Sequence, residues 1–310
     1  MYEGSITDIK GLEAGHATDF RAETGCTVVL CREGAVGGVD VCGGAPGTRE
    51  TDVLKPGNLV ERINAVTLSG GSAFGLDAAG GVMRYLEEQG IGYDTGSYRV
   101  PIVSGAVIYD LSTGDGKVRP DSNMGYQACI DAASGNVPKQ GRIGAGAGAT
   151  VGKAYGAENM MYGGVGSASI RLACGATVAA LMVVNAMGDI IDYSTGIILA
   201  GACDKENKCF LNSFESFKAA IKPAGFPATN TTIGVVATDA VLTKAEANRL
   251  AAMGQNGIAW SIRPSHMLFD GDTVFGLSTC RVEADIHAVY AAAQEVTAMA
   301  IANAAMAANQ

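Results

Sequence analysis

The sequence predicts a layered α/β protein, and three observations predict it. Runs rich in Val, Ile, Thr and Ala at residues 27–30, 65–68, 176–184 and 232–238 have the composition of buried strands. Helical signals stand between and after them. Glycine, at 43 of 310 residues, is well above ordinary usage and concentrates in stretches such as GGVDVCGGAPG and GRIGAGAGATVG, which need a backbone free to turn.

Taken in order, the strands at 27–30 and 65–68 are followed by a helix over about residues 74–89. Leu76, Val82, Met83 and Leu86 are its apolar positions, and Gly90 suits a left-handed cap. The run from Ala176 to Ile191 is broken by Asn185, Gly188 and Asp189, so it is too short to span a bilayer and reads as buried strand. Residues 204–229, with KENK, NSFESFK and two prolines, read as a surface connection. After the strand at 232–238, Thr243 and Glu246 have the spacing of a capping box opening a helix over 243–253. The last helix, over about 283–307, is apolar on nearly every face, which places it in the core or in a subunit interface.

Composition narrows the function. With 48% hydrophobic and 17% charged residues, the chain builds a core without metals or disulfides. A net charge of −9 argues against nucleic acid, which demands clustered Lys and Arg. The opening MYEGSITDIKGLEAGH lacks the layout of a signal peptide, and no segment reads as a membrane span, so a cytoplasmic location is expected. Cysteines 26, 31, 42, 129, 174, 203, 209 and 280 form no CxxC pair, and only three histidines are present; neither a metal site nor a disulfide framework is expected.

Two phosphate-binding patterns fail at required positions. Before Gly152-Lys153 the P-loop glycine falls on Ala147 and its hydroxyl residue on Ala154, while the dinucleotide pattern puts Ala149 where its third glycine belongs. No nucleotide cofactor is expected. Lys153 itself reads either as a solvated lysine or as a buried one that modulates a nucleophile. No GxSxG occurs, and none of His16, His266 and His287 stands in a nucleophile context. A hydrolase of this composition needs a base other than histidine, and the α-amine of an N-terminal threonine is one solution. Asn230-Thr231-Thr232, at the entry to a strand, is the place for it. By itself that tripeptide is a loop entering a strand, and Asp270-Gly271-Asp272 by itself is a solvated acidic turn.

Their company changes the reading. The chain carries SITDIKGLEAGHATD, TGCTVVLC, GGAPGTRETDVLKPGNLVERINAVTLSGGSAFGLDAAGGVMRYL, GAVIYDL, VVNAMG and TTIGVVATDA. Over nearly its whole length it resembles the DmpA-type self-processing hydrolases, which include β-peptidyl aminopeptidases and nylon-oligomer endo-hydrolases. The resemblance implies an αββα sandwich, a single domain over residues 1–310, and cleavage between Asn230 and Thr231 into residues 1–230 and 231–310 that share one core. It makes Thr231 the nucleophile and matches Tyr109 to a tyrosine lining the active site. Asn185 matches an asparagine assisting the oxyanion hole, and Lys153 a lysine close to the nucleophile. Asp270 and Asp272 match the acidic pair of the nylon-oligomer branch, where the aminopeptidases carry Ser-x-Glu. On this basis the acids are expected to orient Thr231 and to offset the charge of Lys153 and of the new ammonium.

The expected activity is hydrolysis of amide bonds in small peptides or oligoamides, 6-aminohexanoate oligomers among them, without cofactor or metal and as a homo-oligomer, a tetramer by resemblance. Three alternatives stay open: an aminopeptidase, acyl transfer as in the ornithine acetyltransferases, and an uncleaved, inactive homo-oligomer.

Overall fold

A long strand that changes partners halfway along holds the architecture together. The computed structural model describes residues 1–219 and 229–310. Its main sheet contains β1 (Glu13–Asp19), β2 (Thr24–Val41), β3 (Thr48–Arg49), β4 (Arg62–Ser69), β5 (Val103–Val107), β6 (Val165–Arg171), β7 (Thr177–Asn185), β8 (Thr231–Ala240) and β9 (Thr273–Val282). Neighbours run β6-β7-β8-β9-β2-β4-β5-β3, with β1 also on β2. The first part of β2 pairs with β1 and β4, and its last part, from Val36 to Val41, pairs with β9. Between Leu30 and Ala35 the register shifts, so one strand serves two layers.

Side-chain alternation separates those layers. On β7, Ala180, Met182 and Val184 join one apolar cluster while Ala179, Leu181 and Val183 join another. On β2, Val29 and Cys31 share that second cluster, and Cys26, Val28 and Leu30 turn to a third. The middle cluster lies between two sheet layers. The first is closed by α4 (Lys244–Ser261) and α5 (Ile286–Ala308), and the third by α1 (Ala78–Glu87) and α2 (Ser122–Ala133). The result is the αββα sandwich that the resemblance implies.

The four strand runs fall on β2, β4, β7 and β8, with Ala176 one residue ahead of β7, and residues 189–191 form a separate short strand. The first helix is a 3₁₀ turn over Ser72–Asp77 continued by α1, and Gly90 takes φ +67° after it. Thr243 and Glu246 form the capping box, but α4 runs beyond residue 253 to Ser261. Gly254 and Gly257 sit inside the helix because a Cβ there would lie 2.8 Å from Val274 and 2.4 Å from the Gln294 carbonyl, so they allow close packing instead of ending it. The last helix is buried along most of its second half. Helix α2 gave no sequence signal, because its buried stripe of Gly125, Ala128, Cys129 and Ala132 is small rather than strongly apolar. Of the expected surface connection, residues 204–219 contain most of a two-stranded hairpin that begins at Cys203, and α3 (Ser213–Lys218), and residues 220–228 lie outside the described residues. No helix among the described residues is long and apolar enough to cross a membrane.

Candidate active site

Topology brings the site together. Strands β8 and β9 are parallel and are joined through α4, so the residues entering β9 lie beside those entering β8 although they are far apart in sequence. Asn230 and Asp270 form a parallel bridge just ahead of the two strands. Gly271 N–H donates to the Asn230 carbonyl at 2.9 Å, and Thr232 N–H donates to Asp272 Oδ1 at 2.7 Å. On the other side, β7 runs antiparallel, and its last residue, Asn185, is the register partner of Thr231.

Thr231 is buried, and its Oγ1 donates to the carbonyl oxygen of Asn230 at 2.5 Å. The acidic turn fits against it only because its centre is glycine: a Cβ on Gly271 would stand 2.8 Å from Thr231 Oγ1. Residues 42–45 wrap the outside, with Cys42 N–H donating to the Asp272 carbonyl at 3.0 Å and Ala45 N–H to the Asp270 carbonyl at 2.8 Å. A Cβ on Gly43 would lie 2.3 Å from the Asp270 carbonyl oxygen, which gives the CGGA stretch a packing reason for its glycines.

Asn185 is saturated. Its Nδ2 donates to the carbonyls of Tyr109 at 3.0 Å and Thr229 at 3.1 Å, and its Oδ1 accepts from Thr150 N–H at 3.0 Å and Lys153 Nζ at 2.9 Å. Lys153 Nζ also donates to the carbonyls of Asn185 and Thr229, each at 3.1 Å. Lys153 is therefore buried and not solvated, with burial pulling its ammonium down to about 7 against the opposing charges of Asp270 and Asp110. Gly152, at φ +72°, is what admits it: a Cβ there would meet Ala202 N at 1.9 Å.

The two acids differ. Asp270 is buried, and burial followed by the neighbouring charge of Asp272 pushes its carboxyl up to about 7. Its Oδ2 accepts from Met267 N–H at 2.8 Å, whereas Oδ1 is buried without a hydrogen-bond partner among the described residues. Asp272 Oδ2 instead faces His266, at 2.9 Å from Nδ1. Asp270 thus acts on Lys153 through charge, while the lysine's hydrogen bonds go to Asn185 and the Thr229 carbonyl and Asp272 contacts a histidine.

The structure brings Thr231, Asn230, Asn185, Lys153, Asp270 and Asp272 into one site, and Tyr109 joins through its backbone carbonyl. Sequence reasoning missed Gly271 as a backbone donor and His266 as a partner of Asp272. The glycine between two acids was the available signal for the first; the second had none, because the contact depends on the turn between residues 266 and 272.

Residues 4–310 match the family described as peptidase family S58. An uncharacterised aminopeptidase of Mycobacterium leprae is 46% identical over 300 residues, covering 90% of this chain and 80% of the relative. A 6-aminohexanoate-oligomer endohydrolase of Kocuria sp. is 33% identical over 279 residues, covering 89% and 75%. Among solved structures, an L-aminopeptidase D-Ala-esterase/amidase from Ochrobactrum anthropi, described as a variant of the Ntn hydrolase fold, superposes with a TM-score of 0.71 at 20% identity over 98% of this chain and 86% of that one. The fold agrees with that variant, the match extends through both halves of the site, and the chain belongs to peptidase family S58, whose chemistry is hydrolysis of peptide or amide bonds.

Proposed function

We propose that the protein is a self-processing hydrolase whose nucleophile, Thr231, is released as a new N-terminus by scission after Asn230, leaving residues 1–230 and 231–310 associated. The observation that carries this reading is the seating of Thr231 Oγ1 against the Asn230 carbonyl, whose oxygen also receives the Gly271 N–H. In scission, Oγ attacks the carbonyl carbon of Asn230, and we assign its proton to the carboxylate of Asp270, which bridges Asn230 through its backbone and whose buried Oδ1 has no hydrogen-bond partner among the described residues. The electron pair moved onto the carbonyl oxygen is stabilised by Gly271 N–H. Collapse breaks the C–N bond, the departing nitrogen takes the proton back, and water hydrolyses the resulting ester.

In turnover, the freed α-amine has an ordinary pKa of about 7.7 to 8.0 and serves as the base for Thr231 Oγ. Asn185 Nδ2 and Lys153 Nζ both donate to the Thr229 carbonyl before scission. Withdrawal of that carbonyl with the new C-terminus leaves both donors aimed at the space for a substrate carbonyl. An acyl-enzyme on Thr231 then forms and is hydrolysed.

The substrates proposed are small peptides or oligoamides, including linear 6-aminohexanoate oligomers, acted on by a homo-oligomer of tetrameric size. Support comes from the commitment of Asp272 to His266 and Thr232, which leaves it unavailable to anchor a substrate ammonium. Aminopeptidase action is the second reading, favoured by the name of the 46% identical relative and by the unpartnered Oδ1 of Asp270. Comparing kcat/KM on a 6-aminohexanoate trimer and on L-alanine p-nitroanilide decides between them, and a clear preference for the anilide overturns the oligoamide assignment. Thr231→Ser, which keeps the hydroxyl, retains activity on the preferred substrate. Full activity in Thr231→Ala ends the reading altogether.

A further inference from the structure

One titratable group beside the acidic turn has no role in the reaction above. His266 sits at φ +58°, in the left-handed region, and this conformation turns its backbone N–H and its ring Nδ1 onto the same oxygen, Asp272 Oδ2, at 3.1 and 2.9 Å. Its Nε2 faces the carbonyl oxygen of Gln255, on α4, at 3.2 Å. A carboxylate and a carbonyl only accept. An imidazole held between them satisfies both contacts only with a proton on each nitrogen, because either neutral tautomer sets a lone pair against an acceptor.

The surrounding charges agree. Burial alone would lower the His266 pKa, but the hydrogen bond and charge of Asp272 outweigh it, with the Gln255 carbonyl and Asp270 adding, so it is raised. On the far side of the pair, Lys153 acts on Asp270. Cys42, beside Asp272, has its thiol pushed up to about 12 by burial and by Asp40 and Asp272, and carries no charge near neutrality.

We propose that His266, as an imidazolium clamped between Asp272 and the Gln255 carbonyl, is a positioning residue: it keeps Asp272 fastened to the Thr232 N–H, and so leaves Asp270 as the member of the pair that exchanges a proton. This rests on the reading of Thr231 as nucleophile. It assigns different work to two acids separated by a single glycine in sequence. Asp272 holds the strand that presents Thr231, and Asp270 takes the hydroxyl proton.

The test has two arms. In the first, His266→Asn, whose side chain tolerates a left-handed backbone and keeps a neutral donor, is compared with wild type for the pH dependence of self-cleavage. Removing the imidazolium removes a positive charge that lowers the Asp270 pKa, so the acid-side midpoint moves up by about one unit and the rate at pH 7 falls about fivefold. An unchanged midpoint and rate overturn the proposal. If the Asn variant does not fold, His266→Gly, which also accepts this φ, gives the same comparison. In the second arm, histidine-labelled Thr231→Ala protein is titrated by NMR. Both nitrogens of His266 are protonated at pH 7, and a neutral ring there overturns the proposal whether or not the chain cleaves itself. Absence of cleavage in wild type with a cationic His266 instead counts against the nucleophile reading alone.

Discussion

Among the described residues, two strand–helix–strand crossovers set parallel strands side by side, and the two are fastened at their starts by different chemistry. Where β4 meets β5, Asn64 N–H donates to the Ile102 carbonyl at 2.9 Å and Ile102 N–H returns to Asn64 Oδ1 at 3.1 Å. Where β8 meets β9, Gly271 N–H donates to the Asn230 carbonyl and Thr232 N–H to Asp272 Oδ1. Each start combines backbone bonding with one side-chain acceptor, and a neutral amide is enough for the first. The second uses a carboxylate and surrounds it with buried polar atoms that have no hydrogen-bond partner among the described residues, namely Asp270 Oδ1, Thr232 Oγ1 and both side-chain atoms of Asn230. Folding requires neither the charge nor the unmet hydrogen bonds, and both are costly in a core. Their presence at one start and absence at the other agrees with the proposed site, although β4 carries two such atoms further along, Thr67 Oγ1 and Ser69 Oγ.

The comparison breaks first at Thr231. Thr231→Ala is expected to abolish both chain scission and amide hydrolysis while leaving the melting temperature close to that of uncleaved protein, as read by gel, substrate assay and calorimetry. Asn185→Ala, once processed, is expected to lower kcat by about 10² to 10³ with little change in KM, because an oxyanion donor acts mainly in the transition state. A change confined to KM would make Asn185 a group that places substrate.

The acidic start is then converted toward the neutral one by Asp270→Asn, which keeps an acceptor for Met267 N–H. The folded-state pKa of Asp270 is raised to about 7, so in the wild type its contribution to stability is fully present below the ordinary carboxylate range and is lost as pH rises toward 7. The variant is expected to cleave poorly and to melt above the wild type at pH 8, with the difference vanishing at pH 4. An equal gap at both values of pH would separate the effect from ionisation. Smallest is the change at the other start. Asn64→Ala leaves the Ile102 N–H without its acceptor and should cost about 1–2 kcal/mol in denaturant unfolding, with no effect on the rate of scission.

Much of this was legible in the sequence, and the reasons differ by residue. Thr231 is visible because a chain without a usable histidine nucleophile pair needs another base, and the family motifs point to one strand entry. Lys153 and the Asp270–Asp272 pair have ordinary solvated readings, and only the resemblance selected the buried ones that the structure places at the site. The layered α/β class followed from runs of β-forming residues and the sandwich from the resemblance, but β9 was not read, since Gly276 and Ser278 dilute its pattern, and neither was α2, whose buried stripe is made of small side chains. His266 and the Gly271 N–H depend on where a backbone turns, which no pattern of side chains reports.

The central claim is that the peptide bond between Asn230 and Thr231 is the enzyme's own first substrate. Intact mass measurement of freshly folded protein, followed by N-terminal sequencing of each product, tests it most directly. The account predicts two chains whose masses sum to that of the precursor plus one water, the smaller beginning Thr-Thr-Ile-Gly. A single chain of unchanged mass that hydrolyses amides at full rate would contradict it.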